Sequence, residues 1–146
     1  MMTSVIRSIR SACALALMTT LLGACATAPP TPVQLATPGE ADAQLVVYRH
    51  GGPLRTGVIR PELHIGPDRH GPVYPTAYRS FLLPPGEYTV WAGLDDSRGA
   101  RITLAPGQTR YVRVIVELDH EARGAQIIEV DADTARATME TLVKLE

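Results

Sequence analysis

The stretch from Phe81 to Glu117 constrains the fold more than any other, because it carries two Pro-Gly corners, each followed by an alternating strand pattern. Pro84-Pro85-Gly86 precedes Glu87-Tyr88-Thr89-Val90-Trp91, and Ala105-Pro106-Gly107 precedes Arg110-Tyr111-Val112-Arg113-Val114-Ile115-Val116. Proline presets φ at about −65° for the first corner of a type II turn, and glycine supplies the positive φ of the second. Both stretches therefore read as hairpin arms. Alternation places Tyr88, Val90, Ala92 and Leu94 on one face of the first strand, with Glu87, Thr89, Trp91 and Gly93 on the other. On the second strand Val112, Val114 and Val116 share a face, opposite Tyr111, Arg113 and Ile115. The aliphatic faces are the expected core.

The N-terminus must be set aside before the fold is argued further. Arg7 and Arg10 make a positive n-region without acids, and Ser11 to Leu22 is an apolar run too short to span a bilayer. It ends in Leu22-Gly23-Ala24-Cys25, which resembles the lipobox of bacterial lipoproteins. That resemblance implies that Leu22, Gly23 and Ala24 are recognised by the lipoprotein signal peptidase and that Cys25 becomes an acylated N-terminus. The alternative is an ordinary secretory signal cut near Ala24 or Ala26, leaving Cys25 as a free thiol. Of the two cysteines, Cys13 would leave with the signal and Cys25 would carry lipid. No thiol is then left for a disulfide, a nucleophile or a thiolate metal site.

Three segments follow: a signal peptide over 1–24, a lipidated cysteine with a proline-rich tether over 25–43, and one domain over 44–146. As polyproline II, the tether would reach roughly 55 Å at about 3.1 Å per residue. Residues 25–146 lose both n-region arginines and no acid, leaving twelve basic residues against fifteen acidic, a formal balance of −3. No basic stripe suits nucleic acid. The expected membrane contact is the lipid, since two or three acyl chains hold a protein where one does not.

Within the domain, Gln44 to Arg49 reads as a strand ended by His50-Gly51-Gly52-Pro53. Val58 to Ile65 reads as an edge strand interrupted by Pro61. Gly66 to Pro72 reads as a loop, and Ala77 to Leu83 as a strand. Further strands are expected near Arg101 to Leu104 and Gln126 to Val130, with a polar loop from Asp119 to Gly124. After candidate N-caps Asp131 and Asp133, the residues Ala135, Met139, Leu142 and Val143 stand at i, i+4, i+7 and i+8, an amphipathic helix. The predicted architecture is all-β: a small antiparallel sandwich of about seven strands with one C-terminal helix on a sheet.

Several motifs follow in order: the lipobox, the proline-rich tether, Ala43-x-Leu-Val-Val-Tyr-Arg49, and Tyr78-x-x-Phe-x-Leu-Pro-Pro-Gly-Glu-Tyr-Thr-Val90. Then come Leu104-x-Pro-Gly-x-x-x-Tyr-Val-Arg-Val114 and Glu129-Val-Asp-x-x-x-Ala-x-x-x-Met139. Together they resemble a family of bacterial outer-membrane lipoproteins with a transthyretin-like or PEGA-like domain of unknown function. The resemblance implies an envelope address and a fold, and it transfers no catalytic residue. Ala26, where an aspartate marks retention at the inner membrane, implies an outer-membrane anchor facing the periplasm in a Gram-negative host. The departure is the segment from Leu63 to Val73, expected as a longer loop where such domains have a tight hairpin.

Candidate chemistry is sparse. Trp91, Tyr111 and Ile115 would share an outer face with Thr89 and Arg113, covered by the Ala135/Met139/Leu142 stripe. Uncovered, Trp91 with Tyr74, Tyr78, Tyr111 and Arg113 would be a surface for a saccharide, a peptide or a partner protein. The histidines His50, His64, His70 and His120 lack zinc-site spacing and read as solvated, so no metal or cofactor is expected. Ser80 and Ser97 lie outside any G-x-S-x-G, and no acid pair is set for glycoside hydrolysis. The expectation is a non-enzymatic envelope module whose partner is an envelope protein or peptidoglycan, with no nucleic acid.

Overall fold

The computed structural model describes residues 33, 35–52, 54–117 and 125–146, all within one compact unit, Thr31–Glu146. Cys25 and the signal segment lie outside the described residues, as do His120 and the loop expected from Asp119 to Gly124. The described chain is mostly β. Its strands are β1 (Ala43–Arg49), β2 (Glu62–Ile65), β3 (Asp68–Pro72), β4 (Ala77–Leu83), β5 (Gly86–Ala92), β6 (Ala100–Leu104), β7 (Thr109–Val116), β8 (Ala125–Val130) and β9 (Val143–Lys144). One helical turn, α1 (Leu54–Gly57), follows β1, and the helix α2 (Ala132–Met139) follows β8. The strands form one curled open sheet, a half-barrel, in the order β3-β2-β5-β8-β7-β1-β4-β9, with β6 paired to β5.

Alternation sorts the side chains about this sheet. Ala43, Leu45 and Val47 of β1 join Val90 and Ala92 of β5, Ile102 and Leu104 of β6, and Val112 and Val114 of β7 in the main core. The aliphatic faces predicted for β5 and β7 are thus inside, except Leu94. That residue is 70% exposed, because β5 ends at Ala92 and Gly93 turns the chain at φ 121°.

The strand pairing corrects four expectations. First, the sheet is mixed, with nine described strands instead of about seven in antiparallel array: β1 runs parallel to β7, and β4 parallel to β9. Second, neither Pro-Gly corner closes a hairpin. β4 lies beside β1 while β5 pairs with β2, β6 and β8, so Pro84-Pro85 carries the chain across the curled sheet, and Gly86 opens β5 without positive φ. The second corner has the expected type II signature, with Gly107 at φ 69° and Gln108 N–H donating to Ala105 O at 3.0 Å. Yet it serves β1: Gly107 N–H donates to Asp42 O and Gln44 N–H to Gln108 O, which sets β7 parallel to β1.

Third, the segment read as a loop is a tight hairpin. Ile65 pairs with Asp68, Gly66 takes φ 58° at the first corner, and β3 absorbs its own Gly-Pro through a register shift beside Gly71 at φ 83°. Glycine and proline break a central strand, but an edge strand with a bulge tolerates both. Fourth, the helix stops at Met139 short of Leu142 and Val143. Val143 N–H and Leu145 N–H donate instead to Thr76 O and Tyr78 O, so the final turn is exchanged for two bonds to β4.

Arg49, at the end of β1, is 2% exposed. Its guanidinium donates to Thr56 O (2.6 Å), Ile59 O (2.5 Å) and Val73 O (3.4 Å), binding the β1–β2 connection to the β3–β4 connection. Burial lowers its pKa from the usual arginine value. Replacing the fully buried Leu45 with alanine should cost about 2–5 kcal/mol in urea denaturation. Leu94→Ala should change stability by less than about 0.5 kcal/mol, since that side chain lies outside the core.

Candidate functional site

The two outer faces of the curled sheet are built differently. Over β1, β4 and β7, the side chains Val46, Tyr48, Tyr78 and Tyr111 meet Ala135 and Met139 of α2 in a second cluster. Val33 and Leu35, from the stretch expected as tether, pack there too. The helix begins where Asp131 caps it, its carboxylate accepting from Thr134 N–H at 2.9 Å. Arg136 Nε donates to the Tyr111 hydroxyl at 3.3 Å, with the guanidinium 6.0 Å from the ring centroid. The stripe thus covers Tyr111 as expected, and it covers Tyr78 as well, which removes both from any open surface. Burial pushes the Tyr48 phenol above its ordinary pKa, against the charge of Arg113 and a hydrogen bond with Thr138, and it raises Tyr78 likewise.

Trp91 stands elsewhere. Its cross-strand partner is His64 on β2, and the two half-buried rings stack at 3.6 Å between centroids and 4° between planes. Toward β6 the neighbouring residue is Gly99, where a Cβ would come within 2.9 Å of Trp91 Cβ and 2.8 Å of Val90 O. The turn before it is held by Ser97 N–H donating to Asp95 Oδ1 at 3.0 Å. Two ion pairs flank the stack, Arg69–Glu62 and Arg101–Glu87, each at 3.5 Å. An aromatic pair rimmed by both charge signs can stack on an apolar ring face and hydrogen-bond around it.

No protein-family model and no curated protein matches this chain. Among solved structures it is similar to the N-terminal domain of AlgF from P. aeruginosa, determined by CS-Rosetta, at 19% identity and a TM-score of 0.40. The match covers 67% of this chain and 100% of that one.

The remaining predicted residues are dispersed. Tyr74 is exposed in the β3–β4 connection, with the Arg60 guanidinium 4.8 Å from its ring centroid. Arg113 is exposed on β7, in a groove along α2. The five side chains expected to form one patch therefore occupy three places and a buried cluster. Sequence patterns settle which face of its own strand each occupies. The strand pairing and the position of α2 settle the rest. His64, considered only as a metal ligand, is the partner of Trp91, and its signal was the residue type alone. His70 packs edge-on against Phe81 at 4.8 Å, its backbone oxygen accepts from Arg79, and its pKa is lowered chiefly by burial. Among the described residues, no three His, Cys, Asp or Glu side chains gather as a metal-binding group, and no helix is long and apolar enough to cross a membrane.

Tyr111→Ala should lower stability by about 3–5 kcal/mol, as for other buried aromatic truncations. Trp91→Ala should cost less than Tyr111→Ala, because the ring is only half-buried: about 0.5–1.5 kcal/mol for the lost stack plus the part of its area that is buried, and urea denaturation of both variants gives the order. Because the Tyr48 and Tyr78 phenols are raised in the folded state, the unfolded chain loses those protons first as pH passes about 10. Stability is thus whole below that pH and falls above it. Denaturation between pH 8 and 11 should show the fall, smaller in Tyr48→Phe.

Proposed function

We propose that the chain is an acylated envelope lipoprotein whose β-domain is a non-catalytic interaction module, held through Cys25 to the periplasmic leaflet of the outer membrane. The observation that carries this reading is the order of the N-terminal signals: Arg7 and Arg10, an apolar run, then Leu22-Gly23-Ala24-Cys25. Two or more acyl chains, at about 0.8 kcal/mol per buried methylene, hold a domain at a membrane without any basic surface, which suits a balance of −3. The partner in this reading is an envelope protein or peptidoglycan. The main core supports reading the curled sheet as two facing layers of a transthyretin-like sandwich, β3-β2-β5-β6 against β8-β7-β1-β4-β9, since both contribute side chains to it.

A second reading is favoured by one observation, the His64–Trp91 stack outside the helix-covered cluster. It makes the face of β2 and β5 a binding surface for a saccharide or an extended peptide, with Trp91 as the platform.

Labelled palmitate should appear on the wild-type protein in envelopes and be absent from Cys25→Ser, which should also keep its signal segment. An unlabelled wild type would remove the anchor from this account. Trp91 is the only tryptophan, so its emission reports on the second reading directly. Titration with peptidoglycan fragments and neutral oligosaccharides should then give a saturable change. A flat titration with both leaves the protein-partner reading alone.

A further inference from the structure

A groove of about 610 Å³ runs between β7 and α2, lined by His50, Arg113, Thr134, Ala137, Thr138 and Thr141. It lies on the helix side of the sheet, away from the His64–Trp91 stack. We propose that this groove binds a small ligand carrying one carboxylate or phosphate together with hydroxyl or amide donors, with the anion on Arg113.

The charge balance around Arg113 points to the anion. Four other arginines are matched to glutamates: Arg69 to Glu62, Arg98 to Glu117, Arg101 to Glu87 and Arg110 to Glu129. Arg113 has no such partner among the described residues, and its cross-strand neighbours are Tyr48 on β1 and Ile128 on β8, neither of them acidic. Among the described residues, none that lines the groove is acidic. The nearby carboxylate of Asp131 is engaged with Thr134 N–H as the helix cap. An exposed guanidinium with two or more donors unspent is suited to bidentate binding of a carboxylate or phosphate.

The helix wall selects the remainder of the ligand. Thr138 and Thr141 donate their hydroxyl protons to Thr134 O and Thr138 O. The Thr141 oxygen is left as an acceptor along the groove, and the Thr138 oxygen keeps one lone pair beside its bond from Tyr48, so the complementary ligand brings donors. The groove falls within the about 300–1,000 Å³ of small-molecule sites, more than a bare ion needs. Its base is rigid, because Tyr48 beneath it is buried and hydrogen-bonded with Thr138.

The test uses full-length protein purified in detergent and three probes sharing one ring: glucuronate, glucose 1-phosphate and glucose. Calorimetric titration should give saturable binding of at least one anionic probe, with glucose about ten-fold weaker or worse. The tighter anionic probe identifies carboxylate or phosphate as the anion. Arg113→Gln should weaken the anionic probe by about ten-fold while the unfolding temperature holds, and Thr138→Val should weaken it by a smaller factor. Equal binding of glucose and both anions, undiminished binding in Arg113→Gln, or no saturation by either anion would each overturn the proposal. These readouts do not depend on Cys25, so they stand apart from the question of the anchor.

Discussion

Burial of β1 on both faces is the constraint that the rest of the domain answers to. All seven residues from Ala43 to Arg49 are buried, and both edges of the strand are hydrogen-bonded, to β4 on one side and β7 on the other. A strand in that position needs apolar side chains on both faces, which is why Leu45-Val46-Val47-Tyr48 runs without polar alternation. It also needs two covers. The inner face has the curl of the sheet, and the outer face has α2 with Val33 and Leu35. Without the helix, Val46, Tyr48 and Tyr111 would form an exposed apolar surface on the middle of the sheet.

The polar residues at the ends of β1 follow from the same burial. Arg49 cannot leave its guanidinium dry and unbonded, and it reaches three backbone carbonyls that no ladder uses. A charge held by carbonyls has no acid to release on titration, so the clamp is insensitive to acid. At the other end Gln44 is 1% exposed, and its Oε1 lies 3.3 Å from the Thr109 hydroxyl, while its Nε2 has no partner. The ion pairs, by contrast, stand at solvent-accessible positions, where they are worth little as stability; the two that involve the edge strands β3 and β6 also discourage edge-to-edge pairing.

Local chemistry was legible wherever a residue's conformation depends on its neighbours in sequence. The type II corner at Pro106-Gly107, the inward faces of Val90 and Val112, the Asp131 cap and the Ala135/Met139 stripe all belong to this class. Legibility failed where a segment's partner lies far along the chain. Pro84-Pro85-Gly86 has hairpin chemistry but joins strands that never pair. Gly66-Pro67 and Gly71-Pro72 have loop chemistry but sit in an edge hairpin that a bulge accommodates. Leu142 and Val143 have helical spacing, but the carbonyls of Thr76 and Tyr78 offer their segment bonds that a further helical turn would have to match. For the candidate surface, only the strand faces of Trp91 and Tyr111 were legible: that α2 buries Tyr111 and that His64 stands beside Trp91 follow from the helix position and the register of β2 on β5.

By itself the sequence determined an all-β domain with a capped helix after its last long strand, and the side of each strand that turns inward. These depend on backbone torsions and on side-chain periods of 2 and 3.6, which act over a few residues. Only the tertiary structure decided that β1 runs parallel to β7, that Tyr78 and Tyr111 lie under the helix while Trp91 stacks on His64, and that Arg113 pairs with no acid among the described residues. Those outcomes depend on pairings between residues tens of positions apart. Many such pairings satisfy the same local pattern, and burying one continuous core selects among them.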